Sequence, residues 1–237
     1  MSLEVEKKFV FNADTEENLR KLGAAFLGEQ LFKDRYFDTE DFSLTLKDVW
    51  LRRRGDNFEL KCPVGRDKQN KTDTCTRYRE LTALPLIQAH IQQLLEPNGI
   101  KKEGTGHMHA VDRTLEKNNC GLTKGQAEEG TSGSWLNEFG LVEFAVFSTV
   151  RRTFTLPDTE SIHIDLDYAD FGFLVGELEV LVKTEEQIPE ALTTIKELAE
   201  KLGVSNSERV PGKMDAYLQR FCPDHYQRLL EAHVLHR

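Results

Sequence analysis

The chain predicts an α+β fold in which eight strands close a barrel around a polar lumen. Three observations carry the prediction. Eight strand-like runs are spread along the 237 residues, enough to close a barrel. Several of those runs place charged residues at alternate positions, so the charges of each strand share one face. Helical signals are few and well punctuated.

In chain order the first run, Leu3 to Phe11, sets Glu4, Glu6 and Lys8 on one face. A short helix follows Asp14, with Glu16 and Glu17 at its positive end, Leu19 and Leu22 on its apolar side and Gly23 as its stop. Strands are expected at Lys33 to Asp38, Val49 to Arg54, Asn57 to Lys61 and Arg77 to Thr82. Pro85 opens a second helix whose stripe is Ile87, Ile91, Leu94 and Leu95, with Gly99 beyond its end. Lys101 to Gly140 is rich in Gly, Lys, Glu and Asn without periodicity and reads as an insertion loop within a single domain spanning 1–237. His107 and His109 inside it form an incidental pair rather than a metal site. The last three strands are expected at Val142 to Thr155, Ser161 to Tyr168 and Phe173 to Val182. Pro189 opens a helix carrying Leu192, Ile195, Leu198 and Leu202, and a helix pair, Asp215 to Phe221 and Pro223 to Leu235, makes a C-terminal helical segment over 214–235.

Composition narrows the function classes. With 39% hydrophobic and 30% charged residues the chain reads as a soluble globular protein with an unusually full set of ionisable groups. A net charge of -9 repels nucleic acid and anionic membrane, so an anionic ligand must be drawn by a local cluster of Arg and Lys. Cys62, Cys75, Cys120 and Cys222 form no C-x-x-C pair, which argues against zinc and against a disulfide framework and fits a reducing compartment. No run approaches the roughly 18 apolar residues of a membrane span. A cytosolic monomer without membrane or nucleic-acid partners is the expectation.

Projecting each strand by the parity of its charges gives an inward set of Glu4, Glu6, Lys8, Arg52, Arg54, Lys61, Glu80, Arg151, Asp165, Glu177 and Glu179. For any one pair, a salt-bridge ladder on an exposed sheet is a sufficient account. Repetition over five strands favours a charged lumen, in which both signs, water and metal ions can satisfy each group. Arg52 and Arg54 offer forked donors for phosphate oxygens, and Lys8, Lys61 and Arg151 add positive charge suited to a chain of several phosphates. The carboxylates would repel that anion unless they hold a divalent cation that bridges to it. Hard oxygen ligands point to Mg²⁺, with Mn²⁺ as a substitute, and to the pairs Glu4–Glu6 and Glu177–Glu179 as its holders. No Gly-rich phosphate loop, H-E-x-x-H run or Ser-His-Asp order supports a familiar nucleotide or hydrolase fold.

These residues also resemble a known family. E-V-E-K-K at Glu4 to Lys8 is similar to the E-x-E-x-K signature of the triphosphate tunnel metalloenzymes, the CYTH superfamily. In order follow W-L-R-R-R from Trp50, E-L-K-C-P from Glu59, Y-R-E-L-T from Tyr78, Arg151, D-L-D-Y-A-D-F-G from Asp165 and G-E-L-E from Gly176. Y-L-Q-R-F from Tyr217 and Y-Q-R-L-L-E from Tyr226 match the branch that hydrolyses thiamine triphosphate. The resemblance implies an antiparallel eight-stranded tunnel with helices packed outside, and Mg²⁺-dependent hydrolysis of thiamine triphosphate to thiamine diphosphate and phosphate. Carried over by motif, Lys8, Arg52, Arg54, Lys61, Arg151 and Lys213 bind phosphates, and Glu4, Glu6, Asp165, Glu177 and Glu179 hold metal. Glu80 orients Lys61 or the attacking water, and Trp50 stands at the tunnel mouth to stack on the thiamine rings. The chain departs from the pattern in the length of Lys101 to Gly140, in Phe154 where Trp is expected, and over Val64 to Arg77.

Lys61, crowded by Arg52 and Arg54, is expected to have a lowered pKa and to act as general base. Two other readings stay open: an inorganic triphosphatase or adenylyl cyclase of the same superfamily, and a non-catalytic polyphosphate-binding module.

Overall fold

The structure, a computed structural model, describes residues 2–64, 74–96, 134–157, 162–204 and 209–235. Eight antiparallel strands form a closed barrel in the order β1 (Ser2–Phe9), β5 (Cys75–Leu81), β4 (Asn57–Pro63), β3 (Trp50–Arg54), β2 (Ala25–Asp38), β6 (Val142–Thr155), β7 (Ile162–Ala169) and β8 (Leu174–Val182), and β8 pairs back onto β1. Closure removes the unpaired edges an open sheet would present.

The apolar core lies outside the barrel. Outward residues of β1, β7 and β8, among them Val5, Ile164, Leu166 and Leu178, pack with Leu19 of α1 (Thr15–Lys21) and Ile195 and Leu198 of α4 (Ile188–Lys201). Leu51, Phe58 and Leu60 of β3 and β4 pack under α2 (Leu84–Leu95) through Ile87 and Ile91. Two C-terminal helices, α5 (Lys213–Phe221) and α6 (Pro223–Glu231), cover Trp50 with Leu218 and Leu229. Helices cover three sectors of the barrel, and the charged parity is left to face the lumen.

Two expectations need correction. β2 begins at Ala25 rather than Lys33, because its first half is mostly exposed and is held by pairing with β6, from Ala25 opposite Thr155 onward, not by burial. Within the expected insertion loop, α3 (Ser134–Glu138) forms and buries Trp135 and Leu136 beside β4 and α2. A five-residue helix carries too few apolar repeats to show as periodicity. His107, His109, Cys120 and the rest of 97–133 lie outside the described residues.

Gly176, the first residue of the G-E-L-E run, faces Phe9 across the β1–β8 pair. A Cβ there would stand 2.2 Å from Phe9 Cζ, in the ring of a residue 1% exposed. Gly176→Ala is therefore expected to cost about 1–3 kcal/mol in a urea melt, and Phe9→Leu in the same chain to recover part of it. A cost below about 0.5 kcal/mol would mean the ring is free to move.

His225 of α6 is 2% exposed, with Nε2 2.8 Å from Thr45 Oγ1 and its ring stacked at 3.7 Å on Phe42. Burial, with Arg228 adding to it, pushes the imidazole down from 6.5 to about 4. The folded ring stays neutral where the unfolded one takes a proton, so stability falls as pH drops from about 6.5 towards 4, by about 3 kcal/mol in full. Denaturation from pH 4 to 7 should show a shallower slope for His225→Gln than for the wild type; equal slopes would remove His225 as the cause.

Candidate active site

Strand register places the charges in the lumen. Glu4, Glu6 and Lys8 of β1 lie opposite Tyr78 and Thr76 on one side and opposite Glu179 and Glu177 on the other. Arg52 and Arg54 of β3 pair with Tyr36 and Asp34, Lys61 of β4 with Glu80, and Arg151 of β6 with Asp167. Every cation expected in the lumen is there, and each is met by a carboxylate.

Lys61 Nζ is paired with Glu4 and Lys8 Nζ with Glu6, whose carboxylate also accepts from Thr76 Oγ1 at 2.7 Å. Arg52 donates through Nε to Glu59 at 2.6 Å and reaches Glu80 at 3.6 Å. Arg54 holds Asp34 side-on, through Nε at 2.7 Å and Nη2 at 2.8 Å. Arg151 holds Asp167 in the same way at 2.7 Å twice, and also meets Glu177 at 2.6 Å and Asp165 at 2.6 Å. Lys213, at the start of α5, reaches in to Asp167 and to Glu177 at 3.0 Å. This placement brings all of the expected phosphate-binding residues except Trp50 into the lumen in four groups of ion pairs: Arg151 and Lys213 on Asp165, Asp167 and Glu177; Arg52 and Arg54 on Asp34, Glu59 and Glu80; Lys61 on Glu4; and Lys8 on Glu6.

Asp34, Asp167 and Glu59, the counter-ions of the arginines, were not among the residues expected from sequence. Asp167 was legible: it follows Asp165 at strand spacing in D-L-D. Asp34 was masked by its neighbours Lys33 and Arg35, which make the run look like a solvated surface.

Burial disfavours charge on every group here, and the partners decide the outcome. Burial is the largest influence on Glu6 and raises it, but Lys8, by charge and hydrogen bond, and Lys61 together pull it down to about 2, and Lys8 and Arg151 stay cationic because carboxylates surround them. Lys61 corrects an expectation. Burial lowers its pKa, but Glu4 and Glu6 outweigh that and the like charge of Arg52, so the amine is held above its usual range. It is an ammonium, not a general base. Burial, with Glu4 and Glu59 adding to it, raises Glu80 against the opposing pull of Lys61 and Arg52, and burial raises Asp165.

Glu179 is different. Burial and then the neighbouring Glu4 push it up to about 8, so this part of the lumen carries more carboxylate than its cations satisfy. Hard oxygen donors in mutual repulsion are what a divalent cation relieves, and the oxygen chemistry of Glu4, Glu6 and Glu179, though not their present arrangement, suits one. Among the described residues no three carboxylates are arrayed as a ready ligand set, since Glu4 and Glu6 are turned onto the lysines. Asp165 and Glu177 are engaged by Arg151 and Lys213.

Trp50 is 8% exposed, donates Nε1–H to Asp48 at 2.9 Å and packs among Leu218, Met214 and Tyr217 of α5. The open mouth position expected for it is not what the fold provides, because α5 and α6 roof it. Tyr36 and Phe147, stacked at 5.7 Å, continue this aromatic wall towards the arginines, and Tyr217 meets Phe147 at 5.3 Å.

Comparison with known proteins agrees with this geometry. The CYTH domain model matches residues 2–212. The thiamine-triphosphatase of Homo sapiens is 39% identical over 236 residues, covering 97% of this chain and 90% of that protein, and that of Macaca fascicularis is 38% identical over the same shares. Two solved proteins from Pyrococcus horikoshii OT3 share the fold, one with a TM-score of 0.53 at 16% identity over 92% of this chain and 99% of that one, the other with 0.51 at 15% over 91% and 98%. With a closed eight-stranded barrel, its charged lumen and these matches in hand, the chain belongs to the CYTH family.

Proposed function

We propose that the protein hydrolyses thiamine triphosphate to thiamine diphosphate and phosphate inside the lumen, with Mg²⁺, or Mn²⁺ in its place. The observation that carries this reading is the continuity of six lumen cations, Lys8, Arg52, Arg54, Lys61, Arg151 and Lys213, with the aromatic wall of Tyr36, Phe147 and Trp50. A triphosphate fits the first part and a heteroaromatic ring the second. The relatives' name gives the ring its identity.

In this reading the lumen cations turn N–H donors onto phosphate oxygens. Arg52, Arg54 and Arg151 grip the terminal groups through paired N–H donors, and Lys8, Lys61 and Lys213 add point charge. Glu4, Glu6 and Glu179 would hold the cation, with Asp165 and Glu177 beside it. When bound, that ion supplies charge neutralisation at the phosphates. Lys61 remains an ammonium and stabilises charge on the phosphoryl group. Glu80 orients the attacking water; a loose phosphoryl transition state asks for positioning more than for a strong base. The net charge of -9 and the lack of a C-x-x-C pair support a cytosolic monomer without nucleic-acid or membrane partners.

Phosphate release with Mg²⁺ from thiamine triphosphate, inorganic triphosphate and ATP at equal concentration tests the reading. Preference for thiamine triphosphate, lost in EDTA and in Glu6→Ala, is expected. Preference for inorganic triphosphate would keep the tunnel and remove the thiamine ester, pyrophosphate and cyclic AMP from ATP would make it a cyclase, and binding without release would leave a polyphosphate-binding module.

A further inference from the structure

Asp34 and Asp167 stand apart from the other lumen carboxylates. Both are 0% exposed. Each uses its two oxygens on the Nε–H and one Nη2–H of a single guanidinium, Asp34 on Arg54 and Asp167 on Arg151. The two arginines flank one ring: the Arg54 guanidinium lies 3.6 Å and that of Arg151 5.7 Å from the centroid of Phe32 on β2. Side-on pairing leaves the three remaining N–H groups of Arg54, including both on Nη1, for another anion. On Arg151 those N–H groups are held by Asp165 and Glu177.

An incoming phosphate must displace some carboxylate, and the choice follows from geometry. Opening the Asp34 fork leaves a carboxylate without access to water and with Arg52 no nearer than 3.9 Å, and opening the Asp167 fork leaves one held by Lys213 alone; the cost of an under-compensated buried charge makes these the last pairs to open. Glu59, which meets Arg52 through one oxygen only and is part-exposed, and Asp165 and Glu177, each held by Arg151 at one oxygen, make no two-oxygen fork and yield first. We propose that Asp34 and Asp167 are positioning residues of the reaction: they keep their forks on Arg54 and Arg151 when substrate binds and fix the direction in which the free N–H groups point. The proposal rests on the reading of these arginines as phosphate binders.

A double-mutant cycle on the full chain with Mg²⁺ tests it, reading kcat and KM separately for thiamine triphosphate and inorganic triphosphate. Asp34→Asn is expected to lower kcat/KM by about 10- to 100-fold on both substrates, chiefly in kcat, as a small misdirection of a clamp does. In an Arg54→Lys background, where no fork can form, the same change should cost less than about 3-fold. Asp167→Asn should behave likewise with Arg151→Lys. Losses that multiply in the double variants, or full activity in both asparagine variants, would overturn the proposal alone. Full activity in both lysine variants would overturn the phosphate reading and the proposal with it. A second measurement needs no variant: nitrogen-edited NMR of arginine Nε–H groups in the wild type. The Arg54 and Arg151 signals should stay protected from solvent exchange when inorganic triphosphate is added without metal, and loss of protection on either would refute the retained fork.

Discussion

Replacing Arg151 by alanine is expected to abolish turnover and to destabilise the protein in one step. Arg151 stands against Asp165, Asp167 and Glu177 at 2.6–2.7 Å, and among the described residues only Lys213 otherwise forms ion pairs with two of those partners. Its loss leaves three buried carboxylates with one ammonium among them. Removing one partner of a buried ion pair costs about 3–5 kcal/mol, because the remaining charge cannot be solvated. Activity should fall by about 10³–10⁵-fold, the range for an arginine that stabilises phosphoryl transfer. The two losses are separable. Arg151→Met with Asp167→Asn removes one positive and one negative charge while keeping much of the volume, so it should recover most of the stability and none of the activity. Urea melts and phosphate release on the same preparations check this. Stability of Arg151→Ala within about 1 kcal/mol of wild type would mean that the carboxylates are solvated rather than buried.

The lumen was legible because a barrel strand has a period of two and burying charge is prohibitive without partners; parity alone therefore assigned Glu4, Lys8, Arg52, Lys61 and Glu177 to one surface. Parity does not say which atoms meet. It left Lys61 among arginines that lower its pKa, whereas the fold sets Glu4 against it and holds the proton on. It missed Asp34, whose neighbours Lys33 and Arg35 hide it, and it could not foresee that helices about 160 residues and more from Trp50 in the chain would cover that indole. The start of β2 was illegible for a related reason: a segment held by backbone pairing alone leaves no apolar pattern to read.

Glu179→Gln is expected to move activity and stability in opposite senses. Burial and Glu4 hold this carboxyl at about 8, against 4.5 for an ordinary one, so near neutrality the fold keeps a proton that the unfolded chain releases. The raised value means that its contribution to stability is whole below about 4.5 and is lost as pH rises through about 8. Glutamine copies the protonated form. The metal-free variant should therefore match the wild type at or below about pH 4.5 and exceed it by a margin that grows up to about pH 8, with a flatter stability profile over that window. A divalent cation at Glu4, Glu6 and Glu179 must expel that proton, so its affinity for the wild type should rise with pH up to about 8. Ligand at 100 times its Kd stabilises a fold by about 2.7 kcal/mol, and the variant should lose most of that Mg²⁺-induced shift. Losing the ion's charge at the phosphates should cost at least about 10²-fold in kcat/KM. Thermal melts with and without Mg²⁺ from pH 6 to 9, beside turnover at matched Mg²⁺, decide the matter. An unchanged Mg²⁺ shift would take Glu179 out of the cation site, and a destabilised metal-free variant at pH 8 would show that its carboxyl is ionised and paired in the fold.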